Sequence, residues 1–499
     1  MLYTTLAIVC RSFQRSRHAS TETQVNEPSR APIFKLNADL LYLIFRMNTD
    51  IDEGCDLGES QVEGMGVHRA MTTARYCSQV CHLWRQTVLS SSSIWARAID
   101  LQELDQEADH WREEVIRRTG NAYLHITGTA RGYHRTSRDF FHHLIVNHWS
   151  RVRIIDVDVY HPHVFKPETW NFLTLPSPFL QSLKLRFHPR TLSSTSILPH
   201  GSIFANDAPS LREFYVEQLL FDTRISWFSH IRCFGIFPSS KLPISVSEIL
   251  EVISHMPVLE SLTVGKMYKD NTLEGIHDDL NVIRRPCLQE IVFMDVELKI
   301  CTAILQRLIP SPACVLDLFC TQRMHHGIST SNTADDKLAK DVLIRYFKAF
   351  FDNHLISTLT LRQWNGVYAL ESDVPKLKCP TYSIPTQRNR RFRVSIDHYN
   401  PSLVFDIFTA CRYPSVKTLE LTLDVTKPST VQLPFMISFL QSFAHVETVI
   451  ANRPALRLCQ SVSEDLAVLF PSMTTFKFQR ASLAMLPGIS AAHNDGSFL

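Results

Sequence analysis

Closely spaced histidines are candidate metal ligands of this chain. They occur in three groups, at His142–His143, His161–Pro162–His163 and His325–His326. Imidazole is a common zinc ligand, but a structural zinc site needs four ligands close together. Nothing near any of the three groups supplies the missing ligands at a recognisable spacing. We therefore expect surface or partly buried histidines at these positions.

Other residues that could bind zinc or catalyse a reaction lack the neighbouring residues that such a site needs. Cys77, Cys81 and His82 are candidate zinc ligands, yet Val80 and Trp84 follow the same helical spacing and favour apolar packing. No phosphate-binding Gly-rich loop, Gly-x-Ser-x-Gly turn or His-Glu-x-x-His helix occurs in the sequence. Two carboxylate pairs, which we expect to be solvated loop charges, stand at Asp278–Asp279 and Asp335–Asp336. The sequence therefore predicts a non-catalytic protein without cofactor or metal.

A basic cluster just before a predicted strand is the candidate site for an anion. It surrounds Phe392 and consists of Arg388, Arg390, Arg391 and Arg393. Guanidinium groups bind phosphate and carboxylate through paired hydrogen bonds, so the cluster predicts a patch for an acidic or phosphorylated substrate. A charged strand entry at the surface is the alternative. Nucleic acid is not an expected partner, because the formal net charge of the chain is only +2.

Composition places the chain among soluble globular proteins. Its 499 residues are 45% hydrophobic and 20% charged, which is enough to build one large domain and a small one. Twelve cysteines are scattered without a Cys-x-x-Cys pair, and Asn400-Pro401-Ser402 is disqualified as a glycosylation acceptor by its proline. Reduced, buried thiols in the cytoplasm or nucleus are therefore expected. No apolar run approaches the length of a membrane helix, so no membrane partner is expected.

Two apolar segments near the amino terminus must form helices that position a binding surface. In the first, four residues recur at helical spacing, namely Leu36, Leu40, Leu43 and Ile44. Leu41 and Phe45 form a second apolar strip beside them. Such a helix is apolar over more than half of its circumference, which is wider than the stripe of an ordinary surface helix. The excess indicates that one face packs within the protein and another meets a partner.

The second segment contains Val80-Cys81-His82-Leu83-Trp84-Arg85, followed by Ile94-Trp95. Together the two segments resemble an F-box, the helical module that docks on the Skp adaptor of cullin-based ubiquitin ligases. Asn37 stands where the family usually has proline, and residues 48–67 form an acidic insertion. The resemblance implies a set of residues that form the F-box core or contact the adaptor, and spacing alone does not divide them: Leu36, Leu40, Leu41, Ile44, Phe45, Val80, Cys81, Trp84, Leu89, Ile94 and Trp95. An ordinary helical hairpin within a core is the alternative.

The rest of the chain alternates predicted strands and apolar helices about every 25 to 30 residues, which is the leucine-rich-repeat period. From Val152 onwards, twelve strands are predicted, at 152–157, 182–187, 211–216, 231–237, 259–264, 288–293, 315–319, 355–361, 392–396, 416–423, 446–450 and 473–478. A loop is predicted at 329–336 and a helix at 462–470. Several strands open on one frame, in which proline ends a helix and a leucine-like residue enters the strand, as in Met256-Pro257-Val258-Leu259. One such unit cannot bury its apolar face alone, so the units must stack into a curved solenoid. The region resembles the irregular leucine-rich repeats of fungal F-box proteins. A generic α/β domain with parallel strands is the competing interpretation.

These patterns predict an α/β protein with an all-helical F-box and a leucine-rich-repeat-like solenoid. The expected organisation is a disordered leader at 1–32 (a mitochondrial transit peptide is the alternative), an F-box at 33–100, a solenoid at 101–484 and a tail at 485–499. The resemblance implies a non-catalytic recognition subunit that binds a Skp-type adaptor, and through it a cullin, while the solenoid's concave face binds an unknown protein substrate. The alternatives are a scaffold outside any ligase and an enzyme with a site at strand ends.

Overall fold

One sheet of fifteen strands runs through the part of the chain that the structure describes. The structure is a computed structural model, and it describes residues 36–49, 70–131, 134–188, 202–219, 221–238, 244–267, 282–320, 333–364, 367–373, 391–396, 401–424, 433–462 and 468–479. The predicted leader at 1–32 and tail at 485–499 lie outside these residues, as does the insertion except for its first two residues.

The helices fall into an amino-terminal group and a series that alternates with the strands. The first group is α1 (Ala38–Thr49), α2 (Ala70–Cys77), α3 (His82–Ser90) and α4 (Ser92–Arg97). The later helices are α5 (His110–Thr119), α6 (Arg135–His148), α7 (Val246–Ser254), α8 (Leu298–Arg307), α9 (Thr333–Asn353), α10 (Pro401–Thr409), α11 (Leu433–Gln441) and α12 (Arg453–Val462). Short 3-10 helices lie at Trp149–Arg151, directly after α6, and at Pro162–Val164, Pro167–Thr174, Ile203–Asn206 and Ser226–His230.

The strands follow one another in space nearly as they do in sequence. They are β1 (Ile99–Asp100), β2 (Leu124–Ala130), β3 (Val152–Tyr160), β4 (Ser182–His188), β5 (Glu213–Glu217), β6 (Cys233–Phe237), β7 (Ser261–Gly265), β8 (Ile283–Arg285), β9 (Glu290–Val296), β10 (Leu308–Pro310), β11 (Val315–Cys320), β12 (Thr358–Trp364), β13 (Val367–Asp373), β14 (Arg391–Ile396), β15 (Thr418–Leu423), β16 (Thr448–Ala451) and β17 (Thr475–Phe478). The order in the sheet is β1–β7, β9, β11, β14, β13, β12, β15–β17, while β8 and β10 pair separately.

The sheet is parallel apart from the two pairings that β13 makes with β12 and β14. Parallel neighbours in chain order require a crossover after every strand, and crossovers of one hand place all the helices on one face. Alternate side chains are accordingly buried in strands such as β11 and β15. The predicted α/β solenoid with leucine-rich-repeat-like winding is the architecture observed.

A single unit shows why the sequence winds this way. Ser245 and Glu248 form a capping box that starts α7, and Met256 and Pro257 follow its end. Glu260 and Ser261 then donate backbone hydrogen bonds to the carbonyl of Arg232 in the preceding unit, at 2.7 and 3.0 Å. Several predicted strands begin about two residues before the observed ones. The reason is that their first residues form this turn onto the preceding unit, and strand pairing begins only after it.

All twelve strands predicted from Val152 onwards overlap observed strands, but the sequence analysis was wrong about the region between β11 and β12. There, α9 begins at Thr333, within the loop predicted for residues 329–336, so Asp335 and Asp336 charge the first turn of a helix. The unpredicted strand β13 turns back antiparallel and separates β12 from β14. The helix expected at 462–470 falls mostly on residues 463–467, which lie outside the described residues, and α12 ends at Val462.

The side chain of Asn452 links two successive units of the solenoid. Its side-chain amide donates to the Leu423 carbonyl at 2.7 Å, and its oxygen accepts from the backbone amides of Leu423 and Ala455 at 3.3 and 3.1 Å. Asn452 is buried. One side chain therefore satisfies backbone groups of two successive units, which is how a buried polar residue stabilises a solenoid turn.

Candidate protein-docking surfaces

Helix α1 divides its apolar residues between the core and the surface. Leu41 and Phe45 are fully buried, whereas Leu40, Leu43 and Met47 are 47%, 47% and 52% exposed. The exposed residues recur at three and four positions, so they lie in one row along the helix. We call Leu40, Leu43 and Met47 the α1 stripe.

The orientation of the α1 stripe is fixed by what lies behind it. The ring of Phe45 packs edge-on against Trp84 of α3, with ring centroids 4.8 Å apart. The hydroxyls of Tyr42 and Ser93 are 2.8 Å apart, which links α1 to α4. At the start of α1, Asn37 Oδ1 accepts from the Leu40 backbone amide at 2.8 Å, an N-terminal capping bond. The helix is therefore held on one side and open on the other.

The remaining predicted residues of this region lie mostly in or against the core. Ile94 and Trp95 are fully buried, and the Trp95 indole donates to the Val88 carbonyl at 2.9 Å. Several residues pack against the core while partly exposed, namely Leu36, Val80, Cys81 and Leu89. Ile44 is half-buried. Of the eleven residues predicted for core or contact, Leu40 is thus the one placed squarely at the surface.

Met47 was missed by the sequence analysis, and Leu43 was noted there without being assigned to the site. The spacing from Leu36 through Leu40 and Leu43 to Met47 repeats every three or four residues and is the signal that identifies them. Tyr76 of α2 and Leu83 of α3 are also exposed, at 42% and 39%. The structure therefore adds apolar surface on α1 that the predicted residue set did not contain.

The candidate metal ligands do not assemble into a site among the residues that the structure describes, where no group of three His, Cys, Asp or Glu side chains has metal-binding geometry. Cys77 is buried and His82 is exposed. His142 hydrogen-bonds Thr169 Oγ1 at 3.1 Å through its Nδ1. Desolvation by burial, followed by the charges of Lys166 and His143, lowers the pKa of His142 below its usual value.

The predicted arginine patch is described only in part. Arg388 and Arg390 lie outside the described residues, and of Arg391 only the backbone position at the start of β14 is described. Arg393 donates from Nε and Nη2 to the two carboxylate oxygens of Asp317, at 2.8 and 3.2 Å. This guanidinium is therefore bound within the sheet, and an anion site formed by the cluster stays a prediction.

The sheet face opposite the helices, here called the open face, carries polar side chains in aligned rows. Strand register sets one row through directly paired positions: Asp100, Thr127, Asp156, Lys184, Tyr215, Gly235, Thr263, Val292, Asp317, Arg393, Glu371, Thr360, Glu420, Ile450 and Lys477. Directly paired residues point to the same side of a sheet. These side chains therefore share one surface that crosses the solenoid.

Ion pairs link neighbouring strands on the open face. Arg186 donates to Asp156 Oδ1 and to Asp158 Oδ1, both at 2.7 Å, and His188 Nε2 lies 3.0 Å from Asp158 Oδ1. Burial opposes ionisation of Asp158, yet hydrogen bonds from His188 and Arg186 outweigh it, so the pKa of this carboxyl lies well below its usual range. The ring of Tyr160 stacks on His188 with centroids 4.6 Å apart. The cluster is partly exposed to solvent.

Aromatic rings lie over glycines in the middle of the open face. A β-carbon placed on Gly235 would lie 1.9 Å from the Tyr215 ring, and one on Gly265 would lie 2.3 Å from the Phe237 ring. Glycine at these positions therefore makes room for a ring from the neighbouring strand. Lys184 Nζ lies 5.6 Å from the Tyr215 ring centroid, a cation–π distance.

Known proteins show little similarity to this chain. No protein-family model matches the sequence, and no curated protein matches it. Among solved structures, the leucine-rich repeat-containing protein LegL7 from Legionella pneumophila is 15% identical, covering 62% of this chain and 86% of that one, with a TM-score of 0.20. Strand order and register define the class as an α/β solenoid with leucine-rich-repeat-like winding. None of the described helices is both long and apolar enough to cross a membrane.

Proposed function

We propose that the chain is a substrate-recognition adaptor of a Skp–cullin–F-box ubiquitin ligase. In this proposal the α1 stripe docks on a Skp-type adaptor, which binds a cullin, and the solenoid binds a protein substrate. The observation that carries the proposal is the division of α1, in which Leu41 and Phe45 anchor the helix while Leu40, Leu43 and Met47 face solvent.

The energetics of the α1 stripe support a docking role. Burying apolar surface yields about 25 cal/mol per Å², so three large side chains half-exposed in one row leave substantial stabilisation unused in the free chain. An amphipathic helix that presents residues at i, i+3 and i+7 is a recurrent recognition element. In this proposal the Skp-type adaptor supplies an apolar groove for the α1 stripe, which the described residues of this chain leave exposed.

In this proposal the chain performs no chemistry. A ligase adaptor accelerates ubiquitin transfer by holding the substrate close to the ubiquitin-charged enzyme, so its contribution is proximity. The residues needed are therefore two binding surfaces on one rigid body. The continuous core from α1 to the last strands, which includes both Leu41 and Phe470, supports that rigidity.

Co-expression with a Skp-type adaptor, followed by affinity purification and gel filtration, tests the proposal. The variant carries Leu40→Asp and Leu43→Asp, which place charge on the α1 stripe without entering the core. The matched control carries Val146→Asp and Leu175→Asp, whose side chains are exposed to a similar extent, 54% and 48%, away from α1. We expect a one-to-one complex for the wild type and the control, and its loss in the stripe variant.

A scaffold outside any ligase is the second candidate, and one observation favours it. Ile94, Trp95 and Ile99 belong to the same buried cluster as the strands of the sheet, so α1–α4 also cap the first unit of the solenoid. Solenoids need such caps at their ends. A folded, monomeric wild type that never retains the adaptor in the same experiment would favour the scaffold.

A further inference from the structure

We propose that the open face binds a lysine- and arginine-rich extended segment of a protein partner. This inference rests on the proposed function, in which the sheet receives a protein substrate, and it adds the chemical class of that substrate. Three features of the face support it: its charge, its partly exposed aromatic rings, and polar atoms without a partner among the described residues.

Among its described side chains, the open face has a net charge opposite in sign to that of the chain. At register-matched positions with described side chains, carboxylates outnumber cationic groups. The carboxylates are Asp100, Asp156, Asp158, Glu213, Glu217, Glu290, Asp317, Glu371 and Glu420, and the cations are Lys184, Arg186, Arg362, Arg393 and Lys477, with Lys266 reaching in from beyond β7. The chain as a whole has a formal net charge of +2. The face therefore attracts cations while the whole molecule does not.

The ion pairs on the face do not cancel this excess locally. One guanidinium, that of Arg186, is shared by Asp156 and Asp158. Glu213 lies 3.4 Å from Lys184 Nζ and also accepts from Ser182 Oγ at 2.9 Å. A carboxylate that shares its cation retains free lone pairs. Each shared pair can therefore accept a further hydrogen bond from an ammonium or guanidinium group of a partner.

Aromatic surface beside these carboxylates suits the same ligand chemistry. The Tyr215 and Phe237 rings lie over Gly235 and Gly265 and are partly exposed on the open face. Cations are attracted to aromatic faces, and the aliphatic stems of lysine and arginine pack against them. An anionic strand of nucleic acid would gain the stacking but would meet net repulsion from the carboxylates.

Two buried polar atoms provide an independent indication. Glu371 Oε1 and Ser395 Oγ have no hydrogen-bond partner within the described chain, and their residues are 8% and 1% exposed. They occupy diagonal positions on β13 and β14, and strand register places them on the open face. Buried polar groups are nearly always paired, so these two oxygens mark a part of the open face where hydrogen bonding within the described chain is incomplete. Arg362, 3.5 Å from Glu371 Oε2 and partly exposed, borders the position.

Binding of synthetic peptides to the full chain tests the inference by fluorescence anisotropy. The probes are a labelled twelve-residue peptide alternating lysine or arginine with glycine, an aspartate and glutamate counterpart, and a single-stranded oligonucleotide. We expect saturable binding of the basic peptide alone, which weakens as salt rises. The variant D156N/D158N should bind it about tenfold more weakly, because two charged contacts are lost.

The matched control is D341N/D352N, which removes the same charge from exposed positions of α9 on the helical side. It should bind the basic peptide as the wild type does. If D156N/D158N melts early, Glu420→Gln tests the same face and should also weaken binding. Equal weakening by the α9 control, no binding of the basic peptide, or preferential binding of the acidic peptide or the oligonucleotide would each overturn the inference.

The two proposals fail separately. D156N/D158N leaves the α1 stripe unchanged and should still retain the Skp-type adaptor. A chain that captures the adaptor but binds no basic peptide refutes the inference and leaves the proposed function standing. A chain that binds the basic peptide on the open face but never captures the adaptor refutes the proposed function and leaves the inference about the open face standing.

Discussion

Trp84 of α3 meets Phe45 of α1 edge-on, with ring centroids 4.8 Å apart and ring planes inclined by 65°. Both rings are almost completely buried. Edge-to-face packing of this kind contributes beyond the area that it buries. The contact joins two sequence segments separated by the 48–67 insertion, and it sets which side of α1 faces solvent.

Removal of the Trp84 ring should destabilise the amino-terminal helices. We expect Trp84→Ala to lower the free energy of unfolding by about 3–5 kcal/mol, because a fully buried large side chain leaves a cavity. Urea denaturation followed by circular dichroism measures the difference. The neighbouring Leu83→Ala, at an exposed position, should stay within about 0.5 kcal/mol of the wild type. Comparable losses in both variants would contradict the burial of Trp84.

Adjacent positions in α1 should respond in opposite ways to a charge. Leu41→Asp buries a carboxylate among apolar groups, and we expect a large loss of stability or failure to fold. Leu40→Asp keeps the charge in water, so its melting temperature should lie within a few degrees of the wild type. Thermal melts of the two purified variants make the comparison. A stable Leu41→Asp protein would show that α1 is rotated relative to the structure.

A methyl group at Gly235 should disturb the open face. The β-carbon of Gly235→Ala would lie 1.9 Å from the Tyr215 ring. The ring must move, and we expect a loss of about 1–3 kcal/mol, typical of overpacking. Calorimetric melting of the single variant and of the double variant with Tyr215→Ala tests the cause. In the Tyr215→Ala background the added methyl should cost much less, and an equal cost in both backgrounds would place the strain elsewhere.

Asn452 should contribute strongly to stability, because its one side chain bonds three backbone groups. Asn452→Ala leaves the backbone amides of Leu423 and Ala455 and the Leu423 carbonyl without the partner seen in the structure. We expect a loss of about 2–3 kcal/mol, because buried polar groups lose their hydrogen bonds. Asn353→Ala, at an exposed helix end, serves as the control in chemical denaturation. Hydrogen exchange at Leu423 should also accelerate in the Asn452 variant alone.

Acid should destabilise the protein through His125 before the carboxylates protonate. Burial, reinforced by the positive charges of Arg97, Arg153 and Arg46, lowers the pKa of His125 to about 3. The unfolded chain takes up this proton near pH 6.5, whereas the folded chain resists it. Stability is therefore fully present above about pH 6.5 and falls as pH drops from there toward 3, by at most about 1.4 kcal/mol per pH unit.

The measurement is the free energy of unfolding between pH 7.5 and about pH 4.5, a window set by the depressed pKa of His125 and kept above most carboxylate titration. His125→Gln cannot take up the proton, so its stability should change less across this window than that of the wild type. His163→Gln, at an exposed position, should follow the wild-type profile. Parallel slopes for the wild type and His125→Gln would show that His125 is not buried in its neutral form.

The sequence by itself determined the local elements. Alternation of apolar residues with period two, and prolines that end the preceding helix, located the strands around Leu262, Leu318 and Leu421. These signals depend on neighbours within a few residues, so they are readable without the fold. The antiparallel strand β13 escaped prediction because its place between β12 and β14 depends on pairing with strands on either side, which no local pattern encodes.

The tertiary structure alone decided which apolar residues of α1 are core and which are surface. Helical spacing placed Leu40, Leu41, Ile44 and Phe45 on one broad apolar helix but did not show the direction from which α3 approaches. Packing of Phe45 against Trp84 fixes that direction and leaves Leu40, Leu43 and Met47 in solvent. The open face is a similar case, because strand register brings carboxylates as distant in sequence as Asp100 and Glu420 onto one surface. Spacing along a chain determines local conformation, whereas contacts between distant segments determine which groups share a surface.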